Sequence, residues 1–573
     1  MITQIQLFQI GTFTFKLKHL LIIGVLILSF STSLMLRSQV LDYGSELHEF
    51  DPFFNFRATE FLVNNGLVEY YNWHDVKSWY PNGRDISATS QVMLHVTAAT
   101  TYQIFGSNME LYDFTILFPG IVGALTTIII FALVRVIGGT TAGLFASLFF
   151  AISVPIIIRG FMGWFKSEPL GLFYGLFGLY LFLSGIKSDN KKITLSKLIG
   201  GGIFMALGFA SWGGIQFFII PICIFIFVLP FLRKDFGFLI WSIPAFVISL
   251  LLTTMVFERP GVDFVLGLGG FALILPTIFL ITCSFVQKFS KSENQIRNYL
   301  ILLLTIILIG AFLIMFNTEN QFLQYPNYRY LNVINPFLTT TNPLVDSVSE
   351  HSVTSTYYSF FMHSVLMIFA GLGSWIIFNK IKFESSKDFP KHLIEFWIIF
   401  NKIKFESSKD FPKDLMVFVL IFGLVGAYVG SAFVRLELFT SLSIIFLSSI
   451  GLSIIIREIL NCKNQLHPIR NNIIKFSYVG GILILIIIPL TFSASNWNSI
   501  LDTPAIILNG GSIYNVVTND WKESLEWIKL NTPPDSIILS WWDYGYWITT
   551  MSERTTLVDN ATIDSKQIQK VAN

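Results

Sequence analysis

The 573-residue sequence predicts a polytopic α-helical membrane protein with about 13 transmembrane helices, followed by a mixed α/β domain outside the membrane. Three observations predict this class. The chain is 53% hydrophobic and only 13% charged, whereas soluble domains carry about 25% charged residues, so roughly half the solvated surface of a globule this size is missing. Uncharged runs of roughly 17 or more residues, long enough to cross hydrocarbon, recur along most of the chain. A polar segment, 493–573, follows the last of them. The 38 Lys and Arg against 36 Asp and Glu leave a formal charge of +2, which points to neither nucleic acid nor an acidic partner. Three cysteines are too few for a disulfide framework, and Cys223 and Cys283 lie inside apolar runs as small core hydrophobes.

The apolar runs begin near Leu20, Phe114, Ala142, Pro169, Leu198, Phe217, Phe236, Phe264, Tyr299, Tyr357, Leu415, Leu438 and Phe476. The fifth and sixth form one uncharged stretch too long for a single crossing, and Trp212-Gly213-Gly214 is the expected break because paired glycines are a poor helix interior. Lys16 and Lys18 precede the first run without a small-residue cleavage pattern, so it is expected to be an uncleaved span. Short basic loops mark the cytoplasmic side. With the N-terminus inside, alternate loops carry Arg135, then Lys187 to Lys197, Arg233 and Lys234, Lys288 to Arg297, Lys380 to Lys413, and Arg457 to Lys475. The outer segments hold carboxylates instead, and an odd number of spans places the tail outside. The segment Trp375 to Lys391 recurs letter for letter at Trp397 to Lys413, which reads as a recent duplication or an assembly error without functional meaning.

The outer segments contain the polar residues that need a reason. The first, 38–112, is long for a loop and carries His48-Glu49-Phe50-Asp51-Pro52 directly after the first span. On local grounds Asp51 can cap an interfacial helix with Pro52 at its first position, or stand in a polar site. Trp79 to Asp85 (WYPNGRD) reads either as an interfacial turn with belt aromatics or as a ligand contact. Between the third and fourth runs, Arg159, Lys166 and Glu168 lie close to hydrocarbon, where charge is expensive, and form either a local ion pair or a polar site. The outer segment 317–356 contains Ser347 to His351 (SVSEH), an ordinary solvated loop or a movable one that brings Glu350 over a cavity. Arg435 breaks the inner-basic pattern and therefore needs a partner, either Glu437 or an anionic headgroup. In the tail, an amphipathic stretch from Asp520 to Leu530 precedes Trp541 to Gly545, where aromatics surround Asp543; the cluster serves as a membrane plug or as a pocket wall. All these groups fall on one face of the membrane, which scattered structural charges would not do, and this favours a cavity at the outer surface.

These residues resemble a known family, the catalytic subunit of oligosaccharyltransferase, a GT-C type membrane glycosyltransferase. Trp541-Trp542-Asp543-Tyr544-Gly545 matches its WWDYG signature in full, and His48 to Thr59 (HEFDPFFNFRAT), Trp79 to Arg84 and Ser347 to His351 look like its eukaryotic and archaeal branch in the same order. The resemblance implies transfer of a preassembled glycan from a dolichyl phosphate or diphosphate carrier to the Asn amide of Asn-x-Ser/Thr in acceptor polypeptides. It implies that Asp51 and Glu350 are catalytic, that Asp51, Glu168 and Glu350 hold Mn²⁺ or Mg²⁺, that Trp541, Trp542 and Asp543 receive the acceptor's hydroxyl residue, and that Arg435 and Lys166 face the carrier phosphate. It divides the chain into a transmembrane domain, 1–492, with outer loops 38–112 and 317–356, and the start of an extracytoplasmic domain, 493–573.

The sequence departs from the family in two places. Lys166 stands where the second acidic motif usually begins with Asp. Family members continue beyond the position of Asn573 into a further acceptor-recognition motif, so a C-terminally incomplete chain is expected. Rival readings are another polyprenyl-linked-sugar GT-C glycosyltransferase, for which a WWDYG tail is not expected, and a lipid-linked sugar flippase, for which midplane charges and internal repeats are. The expected location is a multi-pass membrane protein of the archaeal plasma membrane with its site outside, where accessory subunits are not required, or of the endoplasmic reticulum with its site luminal.

Overall fold

A computed structural model describes residues 6–10, 13–233, 235–320, 348–383, 412–461, 468–492, 504–509 and 516–572. Most of loop 317–356, Lys234, most of the duplicated segment and the beginning of the tail lie outside the described residues. Each of the thirteen apolar runs is helical. Nine helices among the described residues are long and apolar enough to cross a membrane. The difference from thirteen has physical causes. Leu111–Ile152 holds two runs in one 42-residue element, divided at Gly139, whose φ of +80° and ψ of 179° no helix accommodates. Thr356–His363 and Val365–Asn379 form a pair bent by 96°. Leu239–Thr254 and Asn472–Ile487 are shorter apolar helices. The break at Trp212 occurs as the glycines require: one helix ends at Ser211, a 3₁₀ stretch covers Gly213–Phe218, and a new helix starts at Ile219.

Packing among the helices follows from small residues, since lipid supplies no hydrophobic force between helices. Ser167–Ile186 and Lys191–Ser211 approach so closely that a Cβ on Gly178 would lie 2.9 Å from the Met205 amide and 3.0 Å from the Gly201 carbonyl. Leu111–Ile152 joins this pair to Leu17–Ser38, and Lys191–Ser211 joins it to Leu239–Thr254. At the centre, Glu437–Asn461 packs against Leu111–Ile152, Val365–Phe383 and Lys413–Ala432. Its span is 94% buried, against 17% for the first span, so it forms the axis of the bundle while the first span faces outward. Phe217, Phe218, Phe422 and Phe439 stack where the inner helices meet.

Polar contacts distinguish the two ends. At the end with the basic loops, Arg233 Nε donates to Asp414 Oδ2 at 2.9 Å, and Lys187 Nζ donates to the Val136 carbonyl at 2.7 Å, satisfying a carbonyl next to the break at Gly139. At the opposite end lie the outer segments and the tail. A two-stranded antiparallel hairpin, Gln6–Ile10 with Phe13–Lys16, precedes the first helix. The tail contributes helix Asp520–Asn531 and a short parallel pair, Ile537–Ile538 with Thr555–Thr556.

Candidate active site

Three segments distant in sequence are stitched together by backbone contacts at the outer end. After the first span, the chain approaches the link 159–166 so closely that a Cβ on Gly163 would lie 2.5 Å from the Glu46 carbonyl, and the φ of +86° there also demands glycine. The His48 amide donates to the Gly163 carbonyl at 2.9 Å, and the Met162 amide donates to the Arg37 carbonyl at 2.9 Å. Asn55 Nδ2 donates to the Phe165 carbonyl at 2.8 Å, and its Oδ1 lies 3.0 Å from His95 Nε2, itself bound to Tyr70. Burial and the charge of Arg84 push the His95 imidazole down to about 3, so it is a neutral strut.

Asp51 is the first residue of helix Asp51–Tyr71, with Pro52 in the first turn, where a carboxylate is favoured by the exposed amides. Its side chain is 42% exposed, and Oδ2 lies 3.1 Å from Lys166 Nζ. Lys166 is also 2.6 Å from Glu49 Oε2 and lies 4.6 Å from the centre of the Trp164 ring. Burial opposes a charged ammonium, but Asp51, Glu49, Glu168 and Glu350 outweigh it and raise the Lys166 pKa. Glu168 is fully buried in the first turn of helix Ser167–Ile186; Oε1 accepts from Arg435 at 3.0 Å, while Oε2 is buried with no hydrogen-bond partner. Glu350 sits in the turn Ser349–His351, 2.6 Å from Arg159 and 3.8 Å from Arg435. This turn is held by backbone bonds from Val434 to Ser352 and from Thr354 to Ser431. Burial would raise the Glu350 carboxyl, but Arg159, Arg435 and Lys166 prevail and hold it at about 2.

The structure therefore gathers Asp51, Lys166, Glu168, Glu350 and Arg435 at one end of the bundle, paired differently from the local alternatives. Glu168 bonds Arg435 rather than its neighbours Lys166 and Arg159, and Arg435 bonds Glu168 rather than Glu437. Glu437 is buried and accepts instead from Ser359 and from His363 Nε2, at 2.9 Å in the latter case. Sequence reasoning missed Glu49 as a partner of Lys166 and Arg159 as the partner of Glu350. Their only sequence signal is membership of the charged set on the outer face.

The tail docks onto the same first turn. Trp547 Nε1 donates to the Glu49 carbonyl at 2.9 Å, Thr550 Oγ1 donates to the Phe53 carbonyl at 3.2 Å, and Phe50 packs 4.5 Å from Trp547, ring centre to ring centre. This places Asp543 near enough to Asp51 to feel its charge. Burial raises the Asp543 pKa; a bond from Trp541 opposes that, and Asp51 adds to it. Trp541 and Trp542 lie 6.1 Å apart, with Trp541 42% exposed. The segment read as belt aromatics or a ligand contact is a docking clamp. Trp79 is buried and its Nε1 donates to Asp559 at 2.7 Å; the Ser78 hydroxyl also donates to Asp559, and Arg84, stacked on Phe54, donates to the Tyr546 hydroxyl at 3.0 Å.

Hard oxygen donors of net negative charge suit a divalent cation. Four carboxylates, Glu49, Asp51, Glu168 and Glu350, face three basic groups, Lys166, Arg159 and Arg435, and one buried carboxylate oxygen is unpaired. The set fits a metal ion by charge and donor type. Among the described residues, however, no three acidic, imidazole or thiol side chains are drawn together as ligands, and the Lys166 ammonium stands at Asp51.

The ion pairs of Glu350 give a pH dependence of definite sign. An unfolded glutamate titrates near about 4.3. With the folded value depressed to about 2, the stabilisation is fully present above the unfolded value and is lost as the pH falls through the folded one. The protection factors of the amides of residues 348–356, each taken against the intrinsic exchange rate at the same pH, are expected to be unchanged between pH 7 and about 5 and to fall as acid is added below about 4. Loss of protection already at pH 6 would contradict this pairing.

Comparison with known proteins agrees with this architecture. Residues 19–384 match the family model "Oligosaccharyl transferase STT3, N-terminal", and residues 534–572 match the "STT3/PglB/AglB core domain". The dolichyl-diphosphooligosaccharide–protein glycosyltransferase subunit STT3B of Oryza sativa subsp. japonica is 26% identical over 577 residues, covering 93% of this chain and 74% of the relative. The oligosaccharyltransferase AglB of Archaeoglobus fulgidus, solved with an inhibitory peptide and a dolichol-phosphate, has the same fold, with a TM-score of 0.70 at 15% identity over 97% of this chain and 68% of its own. A second structure of the Archaeoglobus fulgidus oligosaccharyltransferase, in complex with Zn and sulfate, superposes with a TM-score of 0.62 at 14% identity, covering 96% of this chain and 66% of its own. With more than half of its length matched by one family model and its tail signature matched by another, the chain belongs to the oligosaccharyl transferase STT3 family of membrane glycosyltransferases.

Proposed function

We propose that this chain transfers a preassembled glycan from a dolichyl phosphate or diphosphate carrier to the amide nitrogen of Asn in Asn-x-Ser/Thr, at the outer end of the helical bundle. The observation that supports this reading is the contact of Tyr544 and Trp547 with Glu49 and Phe50 at the start of helix Asp51–Tyr71, which brings the Trp541 to Gly545 segment beside the acidic cluster. In this reading residues 1–492 form the transmembrane domain and 493–573 the start of the outer domain.

An amide nitrogen is a poor nucleophile because its lone pair is delocalised. Asp51 and Glu350 accept the two amide hydrogens and favour a twisted, more reactive form. Arg159 and Arg435 keep Glu350 ionised for that role, while the open edge of Asp51 faces incoming peptide. Trp541, Trp542 and Asp543 receive the Ser or Thr two residues on, with Asp543 accepting a hydrogen bond from its hydroxyl. Arg435 and Lys166 face the carrier phosphate, whose negative charge grows as the sugar–phosphate bond breaks. Asp51, Glu168 and Glu350 would hold Mn²⁺ or Mg²⁺, a Lewis acid that neutralises the same leaving group. The chain acts as a multi-pass protein of an archaeal plasma membrane with the site outside, without need of accessory subunits, or of the endoplasmic reticulum with the site luminal.

The test uses membranes containing the chain, a fluorescent Asn-x-Thr peptide, extracted lipid-linked oligosaccharide and Mn²⁺. A peptide mass increase that disappears with EDTA, or with Gln in place of the acceptor Asn, is expected. No increase with donor present and the protein folded would overturn the reading.

A further inference from the structure

Of the four carboxylates at the outer end, Asp51 is the most open, at 42% exposure against 0% for Glu168. It also shares a lysine with Glu49. Lys166 Nζ is 2.6 Å from Glu49 and 3.1 Å from Asp51. The ammonium is buried, with its side chain only 8% exposed, and lies 4.6 Å from the centre of the Trp164 ring. Nor is Glu49 free to leave. Its backbone is held at a φ of +70°, unusual for a residue with a side chain, and its carbonyl is fixed by Trp547 Nε1 at 2.9 Å. A residue with a strained, clamped backbone thus pairs its carboxylate with the same ammonium that meets Asp51.

We infer that Lys166 is a built-in competitor for the divalent cation at Asp51, and that Glu49 is the positioning residue that keeps the ammonium when Asp51 turns to the metal. The inference rests on the reading of Asp51 as a metal ligand. An ammonium is a compact point charge on a flexible stem, so it can pair with either carboxylate over a small displacement. With both carboxylates present, giving up Asp51 leaves Lys166 paired with Glu49 and avoids stranding a buried charge, which is the costly event. Without Glu49, the ammonium has Asp51 alone as a near partner and holds it against the metal.

The two residues therefore have opposite signs, and the test reads metal binding without turnover. Full-length protein in detergent is titrated with Mn²⁺ alone, and free Mn²⁺ is measured by electron paramagnetic resonance. Lys166→Met is expected to tighten the Mn²⁺ Kd at least tenfold, and Lys166→Gln, a second neutral variant that keeps a donor for Glu49, to tighten it as well. Lys166→Arg, which keeps the cation, should stay within threefold of the parent. Glu49→Gln is expected to weaken binding at least threefold in the parent but less than twofold in the Lys166→Met background, where no ammonium remains to be held. An equal effect of Glu49→Gln in both backgrounds would mean that its charge acts directly on the metal and would overturn its positioning role. Loss of binding in Asp51→Asn together with an unchanged Kd in both neutral Lys166 variants would overturn the competitor while leaving Asp51 as a ligand. An unchanged Kd in Asp51→Asn, or no Mn²⁺ uptake by the parent and the Lys166 variants, would overturn the ligand reading and this inference with it.

Discussion

Asp51→Asn is expected to lower glycan transfer by about 10²–10⁴-fold with the fold intact, the range for removing a group that accepts a proton or hydrogen in a transition state. The substitution keeps the shape of the side chain. It removes the charge that the proposed function sets against the acceptor amide and replaces one acceptor oxygen with a donor. Helix Asp51–Tyr71 should survive, since Pro52 remains in its first turn and Asn55, at the start of the second, still bonds the Phe165 carbonyl. The side chain is 42% exposed, so the loss of its contact with Lys166 is partly made good by water. Transfer rate and thermal melting measured on the same membranes separate the two effects. Retained transfer in a folded Asp51→Asn protein would remove Asp51 from the chemistry.

Arg435→Met is expected to destabilise the protein by about 3 kcal/mol, the lower end of the range for removing one partner of a buried pair. Glu168 has no exposure, its second oxygen is already unpaired, and Arg435 supplies the bond to the first. A charge left there has neither water nor partner. Arg435 itself is 28% exposed, which places the cost at the low end. The double variant Glu168→Gln/Arg435→Met should regain most of the stability, because no charge is then stranded, yet it should not regain transfer, because in the proposed function both a cation facing the carrier phosphate and a metal ligand are gone. Melting temperatures and transfer rates of the four proteins in this cycle give the answer. Equal instability of the single and double variants would show that Arg435 acts through packing and not through Glu168.

The helical framework was legible in the sequence because hydrocarbon imposes a length and a composition on each span; the break at Trp212-Gly213 was legible for the same kind of local reason. The gathering of the polar residues at one end of the bundle was legible from the alternation of basic loops. Pairing within the cluster was not legible. Arg159 and Glu350 are 191 residues apart and Arg435 and Glu168 are 267 apart, while Arg159, Glu168 and Arg435 each have an oppositely charged neighbour close in sequence that a local reading prefers. Backbone geometry decides otherwise: Glu168 is carried into the protein in the first turn of its helix, whereas Lys166, one residue before that helix, turns toward Glu49 and Asp51. Trp79 and Arg84 show the same limit from the apolar side. Nothing near them in sequence announces Asp559, which lies 480 residues from Trp79 and turns apparent belt residues into a clamp.

The most direct test of the central claim is the position of the new bond. A peptide with one Asn-x-Thr site is incubated with the membranes and lipid-linked oligosaccharide, and the product is fragmented in a mass spectrometer. The account predicts the whole glycan on the Asn side-chain nitrogen, with the Thr hydroxyl bare. A glycan on Thr, or a single sugar in place of the preassembled chain, would contradict it and would assign the same fold and acidic cluster to a different transfer.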